Sequence, residues 1–378
     1  MKLKKESKQL FTAISIITGT CIGAGFLGIP YVTAKAGFLT TFIYILIFSL
    51  ILLFVNLYLG EIILRTKKNH QLTGYAEKYL GKKGKYIMLY ATKFVIFAAI
   101  IAYTIGVGES ISLLIFGDIK YFIPIGLFFG LFMSLFIWKG MSALKIFEKS
   151  GVMVSLTLLF SICIIFFNKI NISNLAYTNL EHVLLPFGVI LFSMMSFFAI
   201  PEAKIVLNKN RKLMKKAIII GTLLPGLFYL IFTFVVVGFK GAQTPEIATF
   251  ALGGIFVFMG IITMFTSYLS LGNALQQNYI FDFKNSKRKA WFRAAILPIF
   301  VFLLTQIFKD FFSFIRVISL GGVVSGGIIA ILVLIIHKRA EGLGERHPEF
   351  KLPPSKIIMI IFSLIFASGI ILELFKIY

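Results

Sequence analysis

Apolar stretches of about twenty residues follow one another along almost the whole chain of 378 residues. An α-helix needs about 20 mainly apolar residues to cross the hydrocarbon layer of a membrane. Hydrophobic residues make up 58% of the sequence and charged residues 14%, against roughly 25% charged in an average soluble domain. A soluble fold could not bury so much apolar surface. The sequence therefore predicts an all-α polytopic membrane protein.

The apolar stretches predict eleven transmembrane helices, numbered in chain order as spans one to eleven. The expected bounds are 11–34, 38–64, 87–116, 121–138, 150–167, 183–202, 217–239, 251–280, 291–308, 312–336 and 357–375. An odd number of spans suits two repeats of five helices and one extra helix. Repeat one is expected at about 11–167, repeat two at about 183–336 and the extra C-terminal helix at about 357–375, so that residues 1–378 form one membrane domain.

The chain carries 38 Lys and Arg against 15 Asp and Glu, a net charge of +23, which in a soluble protein would suggest nucleic acid. Here the charges lie between the apolar stretches. With the N-terminus in the cytoplasm, thirty of the 38 fall in inner segments and six in outer segments. Because cytoplasmic loops are enriched in Lys and Arg, this bias predicts a multi-pass protein of the cell membrane. Its N-terminus is expected inside and its C-terminus outside, with membrane lipids and not nucleic acid as partners.

Spans one and six share a defect at mid-depth. Span one contains the run GTCIGAG from Gly19 to Gly25, followed by Pro30, and span six contains the run FSMMSF from Phe192 to Phe197, followed by Pro201. Each glycine weakens a helix by roughly 1 kcal/mol relative to alanine. The two spans run in opposite directions under the predicted topology. Matched interruptions in opposite orientations are typical of an inverted-repeat transporter.

A helix break in lipid needs partners for the backbone groups that it frees, because each unpaired group costs several kcal/mol. A zwitterionic ligand supplies such partners. Its carboxylate would accept hydrogen bonds from N–H groups at the start of the outer half of span one, where the helix dipole is positive. Its ammonium and a coupling cation would take carbonyls at the end of the inner half. The alternative is that the small residues only let helices pack closely.

Four segments carry a further signal: GTCIGAGFLGIPY in span one, TGYAEKYLGKKGK after span two, LPFGVILFSMMSFFAIPE in span six and FTSYLSLGNAL in span eight. Together they resemble the amino acid/auxin permease family and its aromatic amino acid permease relatives, in the amino acid–polyamine–organocation superfamily. The resemblance covers nearly the whole chain. It implies the fold of the bacterial leucine transporter, with an amino acid held between spans one and six. Ser196 stands where relatives usually have glycine, so this break is expected to be tighter or shifted.

The resemblance implies roles for individual residues of the two breaks. The residues of span one that would contact the substrate backbone are Thr20, Cys21, Gly23, Ala24 and Gly25. The residues of span six that would offer carbonyls to the ammonium are Phe192, Ser193 and Met195, and Phe192 would also wall the side-chain pocket. The simpler interpretation of the Cys21 side chain is a small packing group. No disulfide with Cys163 is expected, because both cysteines lie inside apolar segments.

Two adjacent hydroxyl residues of span eight, Thr266 and Ser267, are placed by the resemblance at a cation site. The carbonyls of Gly19 and Ile22 would complete that site. Oxygen ligands suit a small cation. The alternative is that the hydroxyls bond back to the preceding turn of their own helix.

The coupling ion is expected to be sodium, because the hydroxyl pair supplies oxygens that sodium needs, and no other cofactor is expected. The alternative is a proton, which would need a titratable group at the site. Lys145 and Lys149 precede span five, where some superfamily relatives carry a lysine in place of the ion. Glu61 pairs with Arg65 in the simplest interpretation, by i,i+4 spacing. The alternative is that Glu61 braces the break in span six, since carboxylates within a membrane are functional by default.

The predicted substrate is a neutral amino acid with a large apolar or aromatic side chain. The apolar wall near the span-six break consists of Phe192, Met194, Met195, Phe197 and Phe198. Methionine adapts to differing shapes, and no carboxylate in either break would pair with a cationic side chain. Tyr103 in span three either reaches the substrate carboxylate through its hydroxyl or packs. Glu109, Glu202 and Arg316 lie closer to span ends, where snorkelling or pairing accounts for them.

Three functional classes remain to be weighed. The favoured one is a secondary active transporter that imports amino acids by alternating access. A receptor or sensor with the same fold that binds an amino acid without moving it is the alternative. A membrane-embedded enzyme is disfavoured because the chain lacks the carboxylate clusters or histidines at the membrane face that such chemistry needs. No GxxxxGK[ST] motif occurs, so ATP-driven pumping by this chain is not expected. No oligomeric state is predicted.

Overall fold

The computed structural model describes residues 2–208, 210–308, 312–353 and 356–375. Within these ranges the chain forms helices joined by turns and short coil, and β pairing there is limited to a single bridge between Gly37 and Thr178. The prediction of an all-α membrane fold is confirmed. The side chains of Lys145 and Lys149 lie outside the described part of the structure.

The described residues form eleven helical spans long and apolar enough to cross a membrane, when the first two helices, which meet at a bend, are taken as one. Span one comprises Lys2–Cys21 and Gly25–Ala36, and span six comprises Leu185–Met194 and Ala199–Leu207. The continuous spans are span two (Phe38–Arg65), span three (Leu72–Phe116), span four (Phe122–Lys139), span five (Met141–Phe166), span seven (Met214–Lys240), span eight (Gly254–Phe281) and span eleven (Lys356–Phe375). Two spans have a π-helical middle segment: span nine (Lys287–Trp291, Phe292–Ile296, Leu297–Thr305) and span ten (Phe314–Leu320, Gly321–Gly326, Gly327–Leu343). Short helices in the connections are Phe167–Lys169, Ser173–Ala176, Leu180–His182, Arg211–Leu213, Gly241–Gln243, Ala248–Ala251 and Gln306–Phe308.

Span three begins earlier than expected. Its helix runs from Leu72, whereas the apolar pattern placed its start at 87. Gly81 interrupts the helix with φ of 74°, a left-handed value that favours glycine. The lysines and glycines of this segment therefore mark a kink between two helical pieces and not an irregular loop.

Both predicted breaks are present. Span one bends by 47° between its halves, at residues 22–24, and span six is interrupted at residues 195–198. Pro201 lies in the first turn of the second half of span six, where the N–H group that proline lacks would have no helical partner.

The halves of spans one and six pack in opposite pairs. The first half of span one contacts the second half of span six, and the second half of span one contacts the first half of span six. Spans two and seven flank this pair, spans five and eight contact the first half of span one, and the π-helical segment of span ten contacts the first half of span six. Both breaks therefore lie at the centre of the bundle, surrounded by other helices and not by lipid.

Side-chain hydrogen bonds and ion pairs, here called ties, link helices at the basic end of the bundle. This is the end that carries the connections after spans two, four, six, eight and ten. Glu61 Oε1 accepts a hydrogen bond from Arg65 Nε at 2.9 Å. Its Oε2 accepts from the Leu352 N–H at 2.8 Å and lies 3.1 Å from His337 Nε2 of span ten. Glu61 thus makes the helix-end pair with Arg65 and also joins spans two and ten. The alternative that it braces the span-six break is wrong, since its carboxylate oxygens are engaged here.

A second tie at the basic end joins the start of span three to the connection after span ten. Lys78 Nζ lies 2.5 Å from Glu345 Oε1, and the Lys67 N–H donates to Glu345 Oε2 at 2.8 Å. These two donors, the Lys78 ammonium first, hold the pKa of the Glu345 carboxyl below its usual range.

Candidate functional site

A small cavity lies where the two breaks meet. The residues that line it are Thr20, Cys21, Val95, Tyr103, Phe192, Met195, Phe198 and Leu271. Its volume is about 10 Å³, close to the least that holds one water molecule. The lining residues are apolar or uncharged, so the structure places an apolar, uncharged pocket between spans one, three, six and eight. Any ligand larger than water needs these side chains to move apart.

The break in span one leaves the start of its second half without helical hydrogen-bond acceptors. This half begins at Gly25, and the first N–H groups of any helix lack partners within that helix. The dipole adds about half a positive charge there. On the other side of the break, the Cys21 carbonyl accepts from the Gly23 N–H at 2.8 Å. The geometry thus offers N–H donors at one side of the bend and carbonyls at the other.

Glycine at positions 23 and 25 permits close approach of neighbouring spans. A Cβ at Gly23 would lie 2.7 Å from the Tyr103 hydroxyl and 2.8 Å from Ser267 Oγ. A Cβ at Gly25 would lie 2.7 Å from the Cα of Ser193. Real Cβ atoms do not approach other atoms this closely, so both glycines are required by packing. The Tyr103 hydroxyl therefore lies directly against the span-one break. Its contact with a substrate carboxylate stays a prediction.

The break in span six is supported by polar groups from two flanking spans. The Ser193 carbonyl accepts from the Tyr229 hydroxyl of span seven at 2.8 Å. Ser196 Oγ accepts from Asn56 Nδ2 of span two at 2.8 Å, and the same Nδ2 donates to Thr222 Oγ1 at 3.1 Å. Asn56, and not Glu61, braces this break. Ser196, at the position of the family glycine, accepts a hydrogen bond from that amide.

Sequence reasoning missed Asn56 and Tyr229. Asn56 had a signal, since it is an isolated amide in an apolar run of span two and amides in membrane helices bond to neighbouring helices. Tyr229 had none, because it is one aromatic residue among many in a chain that is 16% aromatic.

The remaining residues assigned to the breaks differ in what their side chains contact. Cys21 Sγ donates to the Met194 carbonyl at 3.6 Å. Thr20 Oγ1 bonds to the Ile16 carbonyl at 2.8 Å and lies 2.6 Å from Ser270 Oγ of span eight. Ser193 Oγ bonds back to the Val189 carbonyl at 2.6 Å. Ala24 is fully buried.

Two residues of the expected apolar wall do not line the cavity. The three that line the cavity are Phe192, Met195 and Phe198. Met194 points away, since its Sδ accepts from Ser49 Oγ of span two at 3.4 Å, and Phe197 is buried elsewhere. The expectation that five residues form one wall is therefore wrong for these two, because consecutive positions at the end of a helix face different neighbours.

The residues assigned to the cation site come together in part. Ser267 Oγ lies 2.8 Å from the Gly19 carbonyl and 3.3 Å from the Ile22 carbonyl. Thr266 Oγ1 instead bonds to the Thr263 carbonyl of its own helix at 3.1 Å, and its side chain packs against Gly151 of span five. One hydroxyl thus bridges spans one and eight, and the other bonds back as its alternative interpretation expected.

Comparison with known proteins gives a family and a fold. The model of the tryptophan/tyrosine permease family matches residues 6–376 of this chain. Glutamine transporter 2 of Aliivibrio fischeri (strain ATCC 700601 / ES114) is 26% identical over 237 residues, which are 61% of this chain and 61% of that protein. The matched part of the chain therefore spans about three-fifths of the length of that relative.

A solved structure of similar fold is MHP1, a nucleobase-cation-symport-1 family transporter, in a closed conformation with bound bromovinylhydantoin. The TM-score is 0.63 at 13% identity, and the match covers 97% of this chain and 90% of that chain. At this identity the likeness shows the fold alone. It confirms the leucine-transporter-like architecture of two five-helix repeats with an extra C-terminal helix.

The substitution Gly25→Ala is expected to cost roughly 1–3 kcal/mol of stability, because the new Cβ meets the Ser193 backbone and overpacks the core. Displacing the end of the first half of span six, where Ser193 lies, should also lower substrate uptake by at least about tenfold. Gly254→Ala is the matched control, since the nearest atom to its Cβ, Leu114 Cδ2, lies 3.4 Å away. The measurements are the melting temperature and the initial uptake rate of both variants. Equal rates in the two would contradict the close contact.

Proposed function

This chain belongs to the tryptophan/tyrosine permease family, and we propose that it is a secondary transporter that imports large neutral amino acids by alternating access, coupled to sodium. The observation that carries the proposal is the meeting of two broken helices at an uncharged cavity lined by Tyr103, Phe192, Met195 and others. The ends of the broken half-helices bring backbone N–H groups and carbonyls to one small volume, as a zwitterion requires.

The ends of the half-helices match the two charges of an amino acid. The substrate carboxylate would accept hydrogen bonds from the N–H groups at the start of the second half of span one, beginning at Gly25. The Tyr103 hydroxyl, which lies against Gly23, would be a further donor. The ammonium would donate to carbonyls at the end of the first half of span six. The Ser193 carbonyl already accepts from Tyr229, but a carbonyl oxygen has two lone pairs and accepts a second bond.

The pocket lining favours a neutral side chain. A cationic or anionic side chain would need a buried counter-charge, and the lining residues carry none. Met195 and Phe198 can repack around ligands of differing shape, which supports several related substrates. The names of the family and of the matched relative point to tryptophan, tyrosine and glutamine, all of which are neutral.

A sodium ion would bind where Ser267 now bridges spans one and eight. The Gly19 and Ile22 carbonyls and Ser267 Oγ already converge. Thr266 Oγ1, on the residue before Ser267, donates to the Thr263 carbonyl, and these two oxygens would complete a set of about five ligands. Such an ion would hold the first half of span one against span eight, which would couple its binding to the arrangement of the broken helix.

The orientation follows from the basic end of the bundle. Because Lys and Arg concentrate in the connections at this end, we place it in the cytoplasm, with the N-terminus inside and the C-terminus outside. An alkaline phosphatase fused to the C-terminus should be active in intact bacteria, and an inactive fusion would reverse the orientation.

Purified protein in proteoliposomes should accumulate labelled tryptophan, tyrosine, leucine or glutamine above the external concentration when an inward sodium gradient is imposed. Lysine and arginine should neither accumulate nor compete, because the pocket has no counter-charge for them. Tight binding of lysine or arginine with none for the neutral amino acids would overturn the substrate class. Binding of a neutral amino acid without accumulation would identify a receptor in place of a transporter.

Replacing sodium by choline at fixed pH should lower uptake by at least about tenfold. Ser267→Ala and Thr266→Ala should abolish this sodium dependence, because each removes an oxygen from the proposed site. Ser134→Ala is the control, since among the described residues that hydroxyl bonds within span four, to the Leu131 carbonyl at 2.6 Å. Uptake that ignores sodium and follows an imposed pH gradient would assign the coupling to protons.

A further inference from the structure

A carboxyl group is buried in the second half of span six, with no cation beside it in the described part of the chain. Glu202 is fully buried, one turn after the break. Its Oε1 accepts a hydrogen bond from Asn273 Nδ2 of span eight at 2.9 Å. Its Oε2 and the Oδ1 of Asn273, which is also fully buried, have no hydrogen-bond partner among the described residues. Glu202 therefore does not snorkel, contrary to the sequence interpretation.

The charged groups on the elements packed against this half of span six are engaged elsewhere or exposed. Span six packs here on spans one, two, seven and eight and on the short helix Arg211–Leu213. On span six itself, Lys204 Nζ donates to the Thr66 and Lys68 carbonyls at 3.1 and 3.4 Å. On span two, Glu61 and Arg65 pair with each other.

The other neighbours are likewise unavailable. At the end of span eight, the Asp282 carboxylate accepts a hydrogen bond from the Gly74 N–H at 2.8 Å. On the short helix after span six, Arg211 Nε donates to the Asn208 carbonyl at 3.2 Å. The described charged side chains at the start of spans one and seven are exposed or half-exposed; they are Glu6, Lys8, Lys215 and Lys216. Within the described residues, Glu202 thus has no counter-charge.

An ionised carboxylate cannot remain in such surroundings, because burying an unpaired charge costs far more than neutralising it. A single proton resolves both unpaired atoms at once. A proton on Glu202 Oε2 removes the charge and turns this oxygen into a hydrogen-bond donor. The Oδ1 of Asn273 is an acceptor that lacks a donor, and it belongs to the same carboxamide whose Nδ2 already bonds to Glu202 Oε1. A carboxylic acid and a primary amide are complementary in this way, because each presents one donor and one acceptor to the other.

We propose that Glu202 and Asn273 form a proton-binding site that joins the second half of span six to span eight, and that the protein takes up this proton when its cytoplasmic side closes. The consequence for transport rests on the proposed function; the proton site does not. Span six moves with span one in alternating access, so opening toward the cytoplasm would part Glu202 from Asn273 and admit water. The hydrated carboxyl would then release its proton.

The position of Asn273 supports exchange with the cytoplasmic side. Its Oδ1 lies 3.5 Å from the place that a Cβ would occupy on Gly140, the residue that follows span four at the basic end. A high cytoplasmic pH would keep Glu202 ionised and hold the site open, and would therefore slow the return of the protein to its outward state.

Glu202→Gln gives the direct test, because the neutral glutamine amide presents one donor and one acceptor to Asn273, as the protonated acid does. The melting temperature of purified wild-type protein should fall between about pH 6 and about pH 9 by at least about 2 °C more than that of Glu202→Gln. Glu181→Gln, the same change at an exposed outer position, should behave as wild type. Equal pH dependence in wild type and Glu202→Gln would overturn the proposal. Failure of Glu202→Gln to fold would also overturn it, since a neutral isostere must fit a neutral site.

Exchange of labelled for unlabelled substrate in proteoliposomes, with the same pH on both sides, tests the consequence. The wild-type rate should fall by about tenfold from about pH 6 to about pH 9, and the Glu202→Gln rate should change by less than about twofold. The same pH profile in both proteins would contradict the proton-linked closure. Absence of exchange in both proteins would contradict the proposed transport function and leave the melting result to decide the proton site.

Discussion

The hydrogen-bonding demand of an interrupted backbone in lipid organises the centre of this protein. Water is absent from the hydrocarbon layer, so each group freed by the breaks in spans one and six needs a partner inside the bundle. The partners come from different helices: the Ser267 hydroxyl of span eight bonds to carbonyls of span one, and the Tyr229 hydroxyl of span seven bonds to the Ser193 carbonyl of span six. Asn56 of span two bonds instead to the Ser196 side chain within the span-six break. The N–H groups at the start of the second half of span one are the donors that a helix cannot satisfy itself. A substrate carboxylate would complete this set, which makes the ligand part of the backbone bonding.

The packing of the half-helices links the two breaks mechanically. The halves of spans one and six pack in opposite pairs, so moving one half alters the bonding of the other at the shared cavity. Polar pairs at the basic end tie these broken helices and their neighbours to the rest of the bundle. Glu61 joins span two to His337 of span ten, and Glu202 joins span six to Asn273 of span eight. Any movement that opened this end would have to break these pairs.

The family resemblance implied the meeting of Ser267 with Gly19 and Ile22. Local sequence patterns predicted the number of spans and the two breaks, because glycine runs, prolines and apolar length act within one helix. They did not predict which way a side chain faces. Met194 and Met195 are neighbours in sequence, yet only Met195 lines the cavity. Glu202 was assigned to a span end by its position along the chain, whereas the packing of span six on span eight buries it completely. Rotation of each helix about its axis is set by contacts with other spans, and that information is spread over the whole chain.

The two native cysteines provide the most direct measurement of the central claim, that substrate binds between the broken helices. Cys21 lines the cavity, whereas Cys163 lies in span five, half-buried and away from it. In Cys163→Ala and Cys21→Ala, which keep one thiol each, the rate of alkylation by N-ethylmaleimide is measured with and without a transported amino acid. At ten times its Kd, the amino acid should slow alkylation of Cys21 by about tenfold and leave that of Cys163 unchanged. Unaltered alkylation of Cys21 would place the substrate elsewhere.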